Sequence, residues 1–123
     1  MTLEALRFVL MDYMKKTGRI GRKNAVDRDE VLFHLQASDP ALDDRRFRYV
    51  YAGDHKKNSD RGAGVCTCSD GLFIPATPAE VEEFYRYIFK QSGPIVAARR
   101  RDNVLHWHPT LRPEYGKQQE LGI

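Results

Sequence analysis

Apolar residues in the first third of the chain recur at intervals of three and four. Alternation appears only briefly, near residue 65, before helical spacing returns. Leu3, Leu6, Val9, Leu10, Tyr13 and Met14 fall on one face of a first helix. Thr2 is placed to cap its start, Lys15 and Lys16 suit its negative end, and Gly18 stops it. Residues 21–26 read as a short extended connection. Asp27 then stands three positions before Glu30, the spacing of a capping box, and Val31, Leu32 and Leu35 supply the inward face of a second helix. Ser38-Asp39-Pro40 breaks that helix, because proline disfavours helical backbone in the residue before it. A third helix begins near Asp43, turns Phe47, Val50 and Tyr51 inward, and ends at Gly53.

The second half changes period. Residues 53–64 form a polar loop flanked by glycines. Residues 65–68 and 72–74 are strand-like, and Ser69-Asp70-Gly71 between them predicts a hairpin turn with positive φ at Asp70 and Gly71. Thr77-Pro78-Ala79-Glu80 opens a fourth helix with a cap, a proline at the first position and a closing glutamate. Val81, Phe84, Tyr85, Ile88 and Phe89 continue it as an apolar stripe. Gly93-Pro94 interrupts, residues 95–101 read as a further short helix, and from His106 the prolines and glycines predict a loosely ordered tail. The expected organisation is one domain over residues 1–105 and a tail over 106–123.

Helix, short strand, helix, turn, helix, hairpin, helix is the element order of a winged helix-turn-helix. Residues 24–89 resemble the small winged-helix proteins of bacteriophages and prophages. The resemblance rests on NAVDRDEVLFHL, on the basic helix DDRRFRYVYAG, on GVCTCSDGLFIPATPAEVEEFYRYI and on the arginines that follow. It implies an α+β fold: a three-helix core, a small β-hairpin wing and an additional C-terminal helix. It also implies a phage- or mobile-element-encoded protein that binds double-stranded DNA in regulation or replication, in the cytoplasm of a bacterial host, with a homodimer left open. The same fold could instead serve as a protein-interaction module for a replication, transcription or host-defence protein.

Composition narrows the chemistry. A 123-residue chain with 41% apolar residues can build one modest core, and no apolar run approaches the ~18 residues that would suggest a membrane span. The net charge of +3 is distributed in stripes, with basic groups at residues 15–28, 45–61 and 99–101 separated by acids. Arg45, Arg46, Arg48 and Tyr49, on the outward side of the third helix, are the expected DNA-reading residues, since guanidinium bonds a guanine edge bidentately. Lys56, Lys57 and Arg61, in the loop before the hairpin, are expected to meet flanking phosphates. Asp43 and Asp44 at the start of that helix would repel phosphate, though acids there also stabilise a helix N-terminus. Cys66 and Cys68 with His106 and His108 offer four zinc-type ligands. The one-residue spacings and long separation favour free thiols packed as small hydrophobes, so no metal and no cofactor is expected. No nucleophile elbow, phosphate loop or zinc-protease motif occurs, and no enzymatic activity is expected.

Overall fold

The computed structural model describes residues 1–54 and 60–112. Among these residues the chain forms five α-helices and one antiparallel hairpin: α1 (Leu3–Lys16), α2 (Arg28–Ser38), α3 (Asp44–Ala52), β1 (Cys66–Cys68), β2 (Gly71–Phe73), α4 (Pro78–Ser92) and α5 (Pro94–Trp107). Short 3-10 turns occur at Arg22–Asn24 and Pro109–Leu111. No described helix is long and apolar enough to cross a membrane.

The caps explain why the helices start where they do. Thr2 Oγ1 accepts from Ala5 N–H at 3.1 Å, and Asp43 Oδ1 accepts from Arg46 N–H at 2.7 Å. Each side chain satisfies a donor that the first turn leaves unpaired. Asp27 accepts from Asp29 N–H at 2.8 Å, so Glu30 contributes no closing bond to the expected box. At α4, Thr77 accepts from Glu80 N–H at 3.3 Å. Glu80 reaches further back than a capping box requires: Oε1 accepts from Ala76 N–H at 2.7 Å and Oε2 from Arg22 N–H at 2.8 Å. One carboxylate thereby joins the start of α4 to the connection after α1.

That connection also touches the two-stranded hairpin through isolated bridges. Val26 and Leu72 exchange backbone hydrogen bonds at 2.9 and 2.8 Å in an antiparallel bridge, and Ile20 bridges Ile74 in parallel. Within the hairpin Cys66 pairs with Phe73, Thr67 with Leu72 and Cys68 with Gly71. The turn is therefore centred on Ser69-Asp70, not on Asp70-Gly71. Asp70 keeps negative φ, and only Gly71, already in β2, has φ +127°. A Cβ on Gly71 would run into the Val26 carbonyl oxygen, 2.6 Å from its carbon and 3.1 Å from Asp27 Cα. This glycine is required by the close approach of the Val26 backbone more than by the turn.

Two apolar clusters meet across the hairpin. The first gathers Leu6, Leu10 and Met14 of α1, Val31 and Leu35 of α2, and Phe47 and Val50 of α3 with Val65, Leu72 and Ile74. The second gathers Cys66 and Phe73 with Val81, Phe84 and Ile88 of α4 and Ala97, Val104 and Leu105 of α5. Alternation along each strand sends neighbouring side chains into opposite clusters.

The last helix departs most from expectation. It runs to Trp107, past the short segment predicted to end near Arg101. The residues expected to begin a loose tail are fixed: Trp107 Nε1 donates to the Gly62 carbonyl at 3.1 Å, its ring meets Phe8 edge-on at 5.8 Å, and His108 Nε2 lies 2.8 Å from the Gly64 carbonyl oxygen. A Cβ on Gly64 would lie 2.5 Å from Trp107 Cβ, so the loop and α5 touch backbone to side chain. Residues 113–123 of the expected tail lie outside the described residues.

Candidate nucleic-acid interface

α3 is held from three sides, and this decides which of its residues are free. Phe47, Val50, Tyr51 and Ala52 are buried. Arg7 of α1 grips the helix end: Nε donates to the Val50 carbonyl at 2.9 Å and Nη2 to the Tyr49 carbonyl at 2.8 Å, with Asp60 2.5 Å away as counter-ion. A cation at a helix C-terminus meets the negative end of the dipole and the carbonyls left without a helical partner. Arg28 of α2 grips the other end. Its Nη1 donates to Asp44 at 2.6 Å, its Nε to the Tyr51 hydroxyl at 3.2 Å, and its guanidinium lies 4.9 Å from the Phe47 ring centroid. The hydrogen bond from Arg28, reinforced by its charge, holds the Asp44 carboxyl below its ordinary value. For Arg28 itself burial opposes the charge, yet the Asp44 and Tyr51 partners leave its pKa raised. Both acids that would repel a phosphate are thus engaged, Asp43 as cap and Asp44 as ion pair.

The four α3 residues expected to read DNA differ in availability. Arg45 and Arg48 are exposed. Arg45 Nε donates to the Tyr49 hydroxyl at 3.4 Å across one turn, so these two form a unit. Arg46 is half-buried and donates to the Met1 carbonyl at 2.6 Å, which ties it to the chain start instead of leaving it outward. Arg48 adds a lesser electrostatic pull on Asp44, the smallest of the effects on that carboxyl. Arg61 does not join them: it lines a separate 450 Å³ depression with Glu4, Arg7, Phe8, His106 and Trp107, against α1 and the end of α5. Lys56 and Lys57 lie outside the described residues. The hairpin tip, Ser69-Asp70, brings no cation.

Arg48 opens onto an open cavity of 630 Å³ between α3, the hairpin and the α4–α5 turn. Arg28, Tyr51, Tyr87, Gln91 and Arg100 share its walls. Arg100 is 8% exposed, sits 5.1 Å from the Phe84 centroid and 5.8 Å from that of Tyr51, and its Nη2 has no hydrogen-bond partner among the described residues. Burial pulls its pKa below the ordinary guanidinium value. Sequence reasoning placed Arg100 only in a basic run. The signal was its spacing: Ala97, Arg100 and Val104 share one helical face, and the flanking two are core residues.

The zinc-type ligands do not converge. Among the described residues no group of three or more His, Cys, Asp or Glu could hold a metal ion. Cys66 and Cys68 are free thiols, and burial raises the Cys66 pKa well above its ordinary value. The His108 pKa is lowered by burial, against the opposing hydrogen bond to Gly64. No protein-family model, curated protein or solved structure matches this chain.

Proposed function

We propose that the chain is a winged helix-turn-helix protein that binds double-stranded DNA through the outward face of α3, without catalysing a reaction. The observation that carries the reading is the state of α3. Its inward face, both ends and both N-terminal acids are engaged, while Arg45 and Arg48 remain exposed at one helical turn's spacing. Element order supports it as well: the isolated Val26–Leu72 bridge joins the connection between α1 and α2 to the hairpin, where a winged helix pairs a short strand with its wing. In this reading Arg45 with Tyr49, and Arg48, approach base edges, while Lys56 and Lys57 contribute backbone attraction; Arg61, turned toward α1 and the end of α5, takes no part. The phage or mobile-element origin follows from the resemblance of residues 24–89 alone.

The test is retention of random and selected duplexes by the purified protein across a salt series. Arg45→Ala and Arg48→Ala should each weaken specific binding by roughly 1–3 kcal/mol. Replacing Lys56 and Lys57 together should weaken binding to all sequences and flatten the log K against log salt slope by about one per lost phosphate contact, whereas Arg61→Ala should leave both unchanged. Wild-type affinity weaker than about 1 mM at low salt rejects the reading.

A protein partner is the second reading, and one observation favours it. Phe33 on α2 and Ile95 on α5 are 78% and 76% exposed, more than the other large apolar residues of the described chain. Absent DNA retention, combined with a partner lost on Phe33→Asp or Ile95→Asp, would establish it.

A further inference from the structure

A guanidinium buried with an unused donor is the least expected group in this molecule. Removing such a charge from water is costly, and folded proteins offset the cost with a counter-charge or a full set of acceptors. Arg100 has neither among the described residues; it has two aromatic faces, Phe84 and Tyr51, which offset only part of the loss. The titratable groups that pull the other way are Tyr51 and then the Cys66 thiol, and burial raises the pKa of that thiol. The side chain also lines a cavity of 630 Å³, within the ~300–1,000 Å³ range of small-molecule sites.

The charge around that cavity is graded. Arg28 is already committed to Asp44 and the Tyr51 hydroxyl. Arg100 at depth has an Nη2 without a partner among the described residues and Arg48 at the mouth has only a weak electrostatic pull toward Asp44, while Asp27 and Asp70 also line the cavity. Two guanidiniums on one wall match a doubly charged oxyanion better than a single carboxylate, and a planar fork bonds phosphate oxygens in pairs. Tyr51, Tyr87 and Val96 supply an apolar wall for the body of such a molecule.

We propose that this cavity binds the phosphate group of a small ligand, with Arg100 as its buried anchor and Arg48 as its second cation. Depth favours a free phosphate ester over a phosphate of duplex DNA, because a nearly buried side chain is reached more readily by a small group than by a duplex backbone. The site adjoins Tyr51 of α3, so its occupant touches the element proposed to meet DNA, but its existence does not depend on that reading.

The experiment is titration of the full chain with inorganic phosphate and with phenyl phosphate, at constant ionic strength in chloride, followed by calorimetry and by the Arg Nε–Hε resonances. Saturable binding at or tighter than about 1 mM is expected, with at least about tenfold weaker binding of acetate. Arg100→Met should weaken phosphate at least about tenfold, and Arg101→Met, whose guanidinium lies 4.4 Å from the Tyr85 centroid outside this cavity, should not. Should Arg100→Met fail to fold, Arg100→Lys keeps the charge, loses the fork and should still weaken binding. Equal phosphate binding by wild type and the Arg100 variants, or none by wild type, overturns the proposal. A duplex-binding arm separates the sources: if Arg100→Met weakens DNA and phosphate alike, the phosphate belongs to DNA and the small-ligand site is wrong. If wild type retains no DNA yet binds phosphate, the DNA reading fails and the cavity stands.

Discussion

Gly71→Ala tests the joint on which the sheet depends. The added methyl meets two obstacles in the structure. Its backbone, at φ +127°, is one that L side chains rarely adopt, a strain of about 1–3 kcal/mol. Its Cβ would also fall on the Val26 carbonyl, which accepts from Leu72 N–H at 2.8 Å. Relief requires the segment at Val26 to move away, giving up both Val26–Leu72 hydrogen bonds at about 0.5–1.5 kcal/mol each. The sum is about 2–6 kcal/mol, a large part of a domain's stability, and at about 4 °C per kcal/mol it lowers Tm by roughly 8–24 °C. Gly18→Ala is the control, with φ +71° and nothing within 4 Å of the added atom, so it carries the backbone cost alone, about 1–2 kcal/mol. Thermal melts followed by circular dichroism compare the two. If Gly71→Ala loses no more than Gly18→Ala, the close approach of Val26 is wrong and the reasoning fails.

Three further outcomes follow from the groups around α3 and the hairpin. Arg28→Ala should return the Asp44 carboxyl toward its ordinary 3.8, seen by NMR titration, because its hydrogen-bonding partner is gone. His108 has a folded pKa below its ordinary 6.5, so the unfolded chain binds the extra proton first. Its contribution is present above about pH 6.5 and is lost as pH falls toward the lowered folded value, and His108→Gln should flatten that part of the stability profile in denaturant titrations. Cys66, fully buried and with a raised pKa, should resist a thiol reagent in the native state and react on unfolding; a native-state rate at Cys66 matching that of half-buried Cys68 would refute its placement.

The elements were legible wherever the signal is local. Thr2, Asp43 and Thr77 cap the helices they were expected to cap, and the hairpin strands fall at residues 66–68 and 71–73. What stayed hidden depends on partners far along the chain. Glu80 was readable as a helix-opening residue, but its second oxygen answers Arg22, 58 positions away. Gly71 was readable as a turn glycine, whereas the constraint comes from Val26. The candidate site divides the same way. The outward positions of Arg45 and Arg48 follow from periodicity, while the tether of Arg46 to Met1 and the separation of Arg61 from α3 are tertiary facts. Arg100 was obscured by chemistry: three consecutive arginines read as a solvated run, and only their phase against Ala97 and Val104 distinguishes the buried one.

The hairpin serves as a party wall. The two three-residue strands, with Val65 just before the first, give Val65 and Leu72 to the chamber of α1, α2 and α3, and Cys66 and Phe73 to the chamber of α4 and α5. Neither chamber can then be let separately. A chain cut before Thr77 would leave Cys66 and Phe73 as an unroofed outer surface, and one beginning at Thr77 would have a helix pair with no floor. A shift of one strand by a single residue exchanges the two sets of side chains, so it would evict the furnishings of both rooms at once.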